Sequence, residues 1–228
     1  MKAVEMLIAA GAKVDFVGGP FGSPLAAAAI GGLLPLRYLA EEQDADHTLI
    51  DGEGRSVLHI AACNGDIKAI KYLIQLGLDA NNTEAKGWSA IHYAASSATP
   101  AALEVLLPSM SPDTLDQSEG CSPLHLACRR NQPQALDLLF TAGFRPYSLV
   151  TLDPPREWDL YDIAFTHENR NLISANGVAK HHLLTRTPLR SDTPPKFSTR
   201  NFYCDGCLHG WVSLGSRTAL PPGSLILI

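Results

Sequence analysis

The chain is 228 residues long, with 46% hydrophobic and 18% charged residues and a formal net charge of −5 at pH 7. A chain of this composition can bury a large core, whereas its net negative charge argues against a general nucleic-acid binder, which would present a basic face. No apolar run is long enough to cross a bilayer, and the five scattered cysteines form no obvious disulfide framework. We therefore expect an intracellular protein, cytoplasmic or nuclear, without a membrane partner.

Residues 1–15 predict a single apolar helix followed by a turn. The apolar residues that indicate this helix are Val4, Met6, Leu7 and Ile8. This start superficially resembles a secretion signal, but Glu5 interrupts the apolar stretch, so export is not favoured. The same helix and turn end each repeated unit downstream, and we interpret residues 1–15 as a partial N-terminal repeat.

A short sequence motif, which we call the phrase, recurs within residues 16–150 at a constant interval, the repeat period. Its three histidine-containing copies begin at Ser56, Ser89 and Ser122, and a copy without the histidine begins at Ser23. A strict period of this length is typical of stacked supersecondary units rather than of one closed globule. The segment 16–150 is therefore predicted to hold four such units.

Each unit predicts two helices. The phrase begins a short first helix, and an aliphatic run such as Ile67, Ile70, Leu73 and Ile74 lies on a second. Spacings of three and four place these residues on one helix face. A glycine precedes the phrase at a constant phase, as expected where the backbone needs a positive φ. These glycines are Gly54, Gly87 and Gly120.

These residues resemble the ankyrin repeat, whose pattern is a glycine turn, Thr-Pro-Leu-His-x-Ala-Ala, a second helix and Gly-Ala-Asp-Val-Asn. The matching segments include 122–127 (Ser-Pro-Leu-His-Leu-Ala) and 11–15 (Gly-Ala-Lys-Val-Asp). The departures are serine for threonine in the phrase and Ala26 in place of the first histidine. The resemblance covers roughly residues 1–176. It implies an all-α fold, an ankyrin-repeat solenoid of stacked helix-turn-helix units with short β-turn fingers. Beyond it we expect a disordered C-terminal tail.

The repeat pattern weakens after residue 150. Residues 151–176 contain a diverged phrase at 159–164, which comes later than the repeat period places it. We interpret them as a C-terminal capping repeat because terminal repeats are usually atypical. Residues 177–200 are rich in Pro, Ser and Thr and carry five basic residues against one aspartate. This composition is typical of a flexible linker, and a basic interaction or phosphorylation segment is the alternative.

Residues 201–228 resemble the opening of a ZZ-type zinc finger. Cys204 and Cys207 could place two thiolates on one zinc ion, but a structural site needs four ligands and no further Cys-x-x-Cys pair follows. We predict an incomplete zinc-finger-like tail and no cofactor, with zinc only if the finger were complete. The alternative is that the chain is a fragment of a larger ankyrin protein whose ZZ-type finger gave zinc-dependent recognition.

The histidines of the phrase could be read as a ladder of metal ligands. Packed helices lie about 10 Å apart and zinc–nitrogen bonds are ~2 Å long, so one metal ion cannot bridge successive copies. The resemblance implies instead that each histidine hydrogen-bonds the first turn of its own unit and the adjoining unit. The histidines are His59, His92 and His125, and their expected local partners are Ser56, Ser89 and Ser122.

Two Cys–His pairs raise the possibility of an enzyme. His59 precedes Cys63, and His125 precedes Cys128, by about one helical turn, so a catalytic dyad is conceivable. However, Cys128 occupies the phase of a buried alanine, no orienting acid is placed consistently, and the chain has no phosphate-cradling glycine-rich loop. We predict a non-catalytic protein without a small-molecule substrate.

A partner-binding surface remains the expected site of function. The resemblance implies binding of a partner protein through the turn tips and the first helices, which line a concave groove. The corresponding positions are Glu53, Arg55, Asn64, Lys86, Trp88, Ser97, Glu119, Cys121, Arg129 and Arg130. An exposed tryptophan beside charges suits an interface hot spot, or Trp88 packs on neighbouring turns. Arg129 and Arg130 are either solvated or contact an acidic ligand. The expected function is that of a protein–protein adaptor whose partner the sequence does not identify.

Overall fold

The computed structural model describes residues 1–97, 99–110, 122–145, 160, 164 and 166–176, and the backbone of 150–153 and 156–158. Its helices are α1 (Lys2–Ala9), α2 (Pro24–Ile30), α3 (Leu33–Arg37), α4 (Val57–Asn64), α5 (Ile67–Gln75), α6 (Ala90–Ser96), α7 (Ala101–Leu106), α8 (Pro123–Arg129), α9 (Pro133–Thr141) and α10 (His167–Ala175). A π-helical turn, Tyr38–Glu42, continues α3, and a 3-10 turn, Leu107–Ser109, continues α7.

The helices form two layers. The first helices of successive units, α2, α4, α6 and α8, pack on one another in that order, and the second helices α3, α5, α7, α9 and α10 do the same. Alanines at one phase of the first helices (Ala61, Ala94 and Ala127) have no exposed surface, which lets neighbouring helices approach closely. The core therefore runs through the stack between the layers, and the predicted all-α solenoid is confirmed.

A short finger precedes the first helix in two central units. The first finger (residues 50–56) is closed by an antiparallel bridge between Ile50 and Ser56, and the second finger (residues 83–89) by one between Thr83 and Ser89. Gly54 lies in the turn of the first finger with a φ of +81°, a conformation that costs residues other than glycine about 1–2 kcal/mol. The fingers therefore recur with the same period as the helices.

A β-hairpin before the last helix is an addition to the predicted fold. Strand β1 (Val150–Asp153) pairs antiparallel with β2 (Arg156–Trp158), with Val150 opposite Trp158. The late position of the diverged phrase at 159–164 indicates an insertion before it, but the repeat phase does not specify the conformation of inserted residues, so the sequence did not predict the strands.

The N-terminal helix α1 has no buried residue. Among the residues described, no helix is long and apolar enough to cross a membrane. The predicted linker (177–200) and zinc-finger-like tail (201–228), with Cys204 and Cys207, lie outside the described residues.

Candidate partner-binding surface

Each histidine of the phrase closes a capping box at the start of its helix. The backbone N–H of Ser56 donates to Nδ1 of His59 (3.0 Å), and the Ser56 hydroxyl lies 2.9 Å from the same nitrogen. Because Nδ1 accepts, the ring proton is on Nε2, which lies 3.1 Å from the carbonyl of Asn82 and 3.2 Å from that of Trp88. His59 thus joins the first turn of its own unit to the next finger, as predicted.

The other two copies repeat the local half of this arrangement. The N–H groups of Ser89 and Ser122 donate to Nδ1 of His92 and His125 at 3.1 and 3.2 Å. Burial lowers the pKa of His59 to about 4, of His92 to about 3 and of His125 to about 4. The imidazoles are therefore neutral at pH 7 and engaged in the fold. Within the described part of the chain, no three His, Cys, Asp or Glu side chains form a group that could hold a metal ion.

Cys128 does not have the properties of a nucleophile. Its side chain has no exposed surface, its Sγ donates to the carbonyl of Leu160 at 3.6 Å, and burial raises its pKa to about 12. Because the thiolate is the reactive form of cysteine, the geometry argues against a Cys128–His125 dyad.

Arg55 corrects the predicted surface, because it is only 6% exposed. Its Nε lies 2.6 Å from Oδ2 of Asp51, and both side chains are 5% exposed. Oδ1 of Asp51 also accepts the backbone N–H groups of Glu53 and Arg55, each at 2.9 Å. The arginine is needed to balance the buried aspartate that holds the first finger in shape, so its assignment to the exposed surface is wrong.

Ser97 is a second correction. It is 5% exposed, its hydroxyl donates to the carbonyl of Ala94 at 2.8 Å, and the N–H of Thr99 donates back to it at 3.2 Å. These bonds end α6, so the hydroxyl serves the helix terminus rather than an exposed surface. Asn64 is half-buried, and its Nδ2 donates to the carbonyl of Ile30 at 3.4 Å, which links α4 to the preceding unit.

The remaining described candidates lie on the surface. The side chain of Glu53 is 41% exposed, Lys86 is exposed at the tip of the second finger, and Arg130 is exposed just after α8. Arg129, the last residue of α8, is half-buried. Glu119 and Cys121 lie outside the described residues.

Trp88 packs on two neighbouring rings and remains partly exposed. Its indole is half-buried, stacks on the ring of His92 with the centroids 5.9 Å apart, and meets the ring of Tyr93 edge-on at 5.9 Å. Packing therefore fixes the orientation of the indole while part of its surface stays accessible.

Sequence reasoning missed Glu84. This residue is 5% exposed, its Oε1 accepts the N–H of Trp88 at 3.3 Å, and its enclosed Oε2 has no hydrogen-bond partner among the residues described. The signal that could have found it is phase, because Glu84 follows Asp51, and Trp88 follows Arg55, by one repeat period. An acidic residue therefore occupies this phase in both fingers, whereas the arginine of the first finger is replaced by tryptophan in the second.

Comparison with known families agrees with this architecture. The family described as ankyrin repeats (three copies) matches residues 1–84 and 74–148, which is more than half of the chain. The chain therefore belongs to the ankyrin-repeat family, whose members are generally protein–protein interaction modules. None of the curated proteins matches this chain.

Proposed function

We propose that this protein is a non-catalytic scaffold that binds a partner protein along the concave side formed by the fingers and the first helices. We call its exposed part the finger surface, and it comprises Glu53, Lys86, Trp88, Arg129 and Arg130. The proposal rests on the family and on the way in which these side chains are presented.

One hydrogen bond is the observation that carries the proposal. The N–H of Ala85, at the tip of the second finger, donates to the carbonyl of Glu53, at the tip of the first, at 2.9 Å. Adjacent tips are thereby held at a fixed spacing, so Glu53 and Lys86 are presented in register. A preorganised surface loses less conformational freedom on binding than a flexible one, which favours recognition of an extended protein surface.

The chemistry of the described interior supports a binding role rather than catalysis. His59, His92 and His125 are neutral and committed to capping, and Cys128 holds a buried, protonated thiol. These groups stabilise the stack, so we assign recognition to the accessible residues of the finger surface.

The test is affinity capture with the full chain and matched variants as bait, quantified by mass spectrometry. Trp88→Ala should lower capture of the native partner, because an aromatic anchor at an interface centre commonly contributes more than about 2 kcal/mol. The double variant Arg129→Glu with Arg130→Glu should lower it in a salt-dependent way, because charge contacts are screened by salt.

Glu104→Ala is the matched control, because Glu104 is exposed on α7, in the layer of second helices. It should leave capture unchanged. The proposal is wrong if no captured protein distinguishes the finger variants from Glu104→Ala while all of them keep the same thermal melt.

A further inference from the structure

The two described fingers differ at a pair of coupled positions. In the first finger, Asp51 and Arg55 form a buried ion pair with a 2.6 Å contact. In the second finger the same two phases hold Glu84 and Trp88. The acid is kept and the cation that would balance it is replaced by an aromatic ring.

The carboxylate of Glu84 is poorly compensated. Only its Oε1 has a partner among the described residues, the N–H of Trp88, while Oε2 is enclosed and unpaired. A buried polar group without a partner is costly, and a negative charge in a low-dielectric setting acts strongly on its surroundings. The second finger therefore lacks a positive charge at the phase that Arg55 occupies in the first finger, since Lys86 lies exposed at the tip.

Trp88 offers the surface on which such a charge can bind. The indole is held by His92 and Tyr93 and is still partly accessible. Cations bind over the faces of tryptophan within about 6 Å of the ring centroid. The partly exposed carboxylate of Glu53 lies 3.7 Å from Nη1 of Arg55 and is thus already paired within the first finger. Lys86 would repel a cation placed at the tip of the second finger, so the face of the Trp88 ring is the favoured position for a bound cation.

We propose that Trp88 and Glu84 form a recognition site for an arginine side chain of the partner protein. The guanidinium stacks on the accessible part of the indole, and the uncompensated carboxylate of Glu84, next to the Trp88 backbone, attracts it. The partner's arginine thus supplies the charge that Arg55 supplies within the first finger. This inference rests on the proposed function and adds the chemistry of the partner.

The experiment is a titration of the ¹⁵N-labelled full chain followed by NMR of the Trp88 indole N–H, which is assigned by its loss in Trp88→Phe. The probe is a short glycine–serine peptide with one central arginine. The control peptide carries citrulline, which has a similar shape and no charge. The arginine peptide should shift the Trp88 indole resonance, and the citrulline peptide should bind about tenfold more weakly.

Two variants separate the parts of the site. Glu84→Gln removes the charge and keeps a hydrogen-bond acceptor, and it should weaken arginine-peptide binding about tenfold. Trp88→Arg rebuilds the internal pair of the first finger, and it should abolish binding and raise the urea midpoint. Glu104→Gln should change neither. Equal binding of the two peptides, or unchanged binding by Glu84→Gln, overturns the proposal.

Capture of the native partner distinguishes this proposal from the one on which it rests. If capture is lost in the Arg129→Glu, Arg130→Glu variant but survives Glu84→Gln and Trp88→Arg, the scaffold function stands and the arginine site is wrong. If capture falls in Glu84→Gln as well, both proposals are supported.

Discussion

At the scale of the residue, every histidine of the phrase caps its own helix, and His59 adds a second task that a capping-box glutamate or glutamine cannot combine with the first. Each Nδ1 accepts the N–H of the capping serine, and in His59 the opposite nitrogen donates to the carbonyls of Asn82 and Trp88 in the next finger. A second proton on the ring would remove the acceptor. The cap therefore depends on the imidazole being neutral.

This dependence predicts a loss of stability in mild acid. The folded-state pKa values of about 4 for His59, 3 for His92 and 4 for His125 lie below the ordinary value of 6.5. Between these values the unfolded chain binds more protons, so the stabilisation is present above pH 6.5 and is lost as the pH falls towards 4. The slope is about 1.4 kcal/mol per pH unit for each histidine. Urea midpoints measured from neutral pH down to about pH 5 should fall accordingly.

A variant identifies the source of this slope. His92→Gln keeps a capping-box acceptor at the third helical position but should lower the stability at neutral pH because it removes the buried ring that stacks on Trp88. It should also flatten the pH dependence because one titrating group is gone. A midpoint that stays constant or rises as the solution is acidified over this range would show that the histidines titrate normally in the folded chain.

The residue scale also shows where sequence reasoning succeeds and fails. The serine–histidine caps follow from a recurring pattern, and the structure contains all three. Arg55 and Ser97 occupy positions exposed in the family pattern but are buried, because a buried aspartate and a helix terminus in this chain require them. Such pairings depend on side-chain geometry that the repeat period does not specify. Glu84 differs, because the repeat phase that relates it to Asp51 was visible in the sequence, whereas its burial was not.

At the scale of the element, the fingers limit which residues the turns accept. Gly22, before α2, has a φ of +79°, and a Cβ built on it would collide with the Asp51 side chain and lie 2.8 Å from the Asp51 Cα. Gly77, after α5, has a φ of +92°, and a Cβ there would meet nothing within 4 Å. The two glycines share backbone conformation and differ in their surroundings.

This contrast predicts unequal costs for one substitution. Gly77→Ala should lower the free energy of unfolding by about 1–2 kcal/mol, the strain of a left-handed alanine. Gly22→Ala should cost more, because the backbone must also move away from the first finger. Urea unfolding of both variants measures the difference. If Gly22→Ala is no worse than Gly77→Ala, the contact with Asp51 is loose enough to absorb a methyl group.

The element scale was the most predictable from sequence. The period gave the helix pairs and the glycine turns, because apolar spacing and positive-φ positions are local properties of each unit. The hairpin of β1 and β2 was not predicted, because it interrupts the period. Helix α10 lies beyond the interruption, where the phrase had already diverged.

At the scale of the whole molecule, the stack gives equivalent residues different environments. Leu7, Leu73, Leu106 and Leu139 are separated by whole multiples of the repeat period. The last three have no exposed surface, whereas Leu7 is 42% exposed on α1. In a solenoid each unit is stabilised by its own helix pair and its neighbours, and α1 lacks a first helix of its own among the described elements. The position of a leucine in the stack therefore determines how much it contributes to the free energy of unfolding.

One substitution at two equivalent positions, buried Leu73 and exposed Leu7, tests this dependence in the full chain. Leu73→Ala should lower the free energy of unfolding by about 2–5 kcal/mol, because it leaves a cavity between α5 and the helices around it. Leu7→Ala, the same change at the same phase, should cost less than about 1 kcal/mol, because solvent already reaches the side chain. Urea unfolding followed by circular dichroism measures both. A loss for Leu7→Ala equal to that for Leu73→Ala would mean that α1 is covered in solution by something that packs on it as a first helix does.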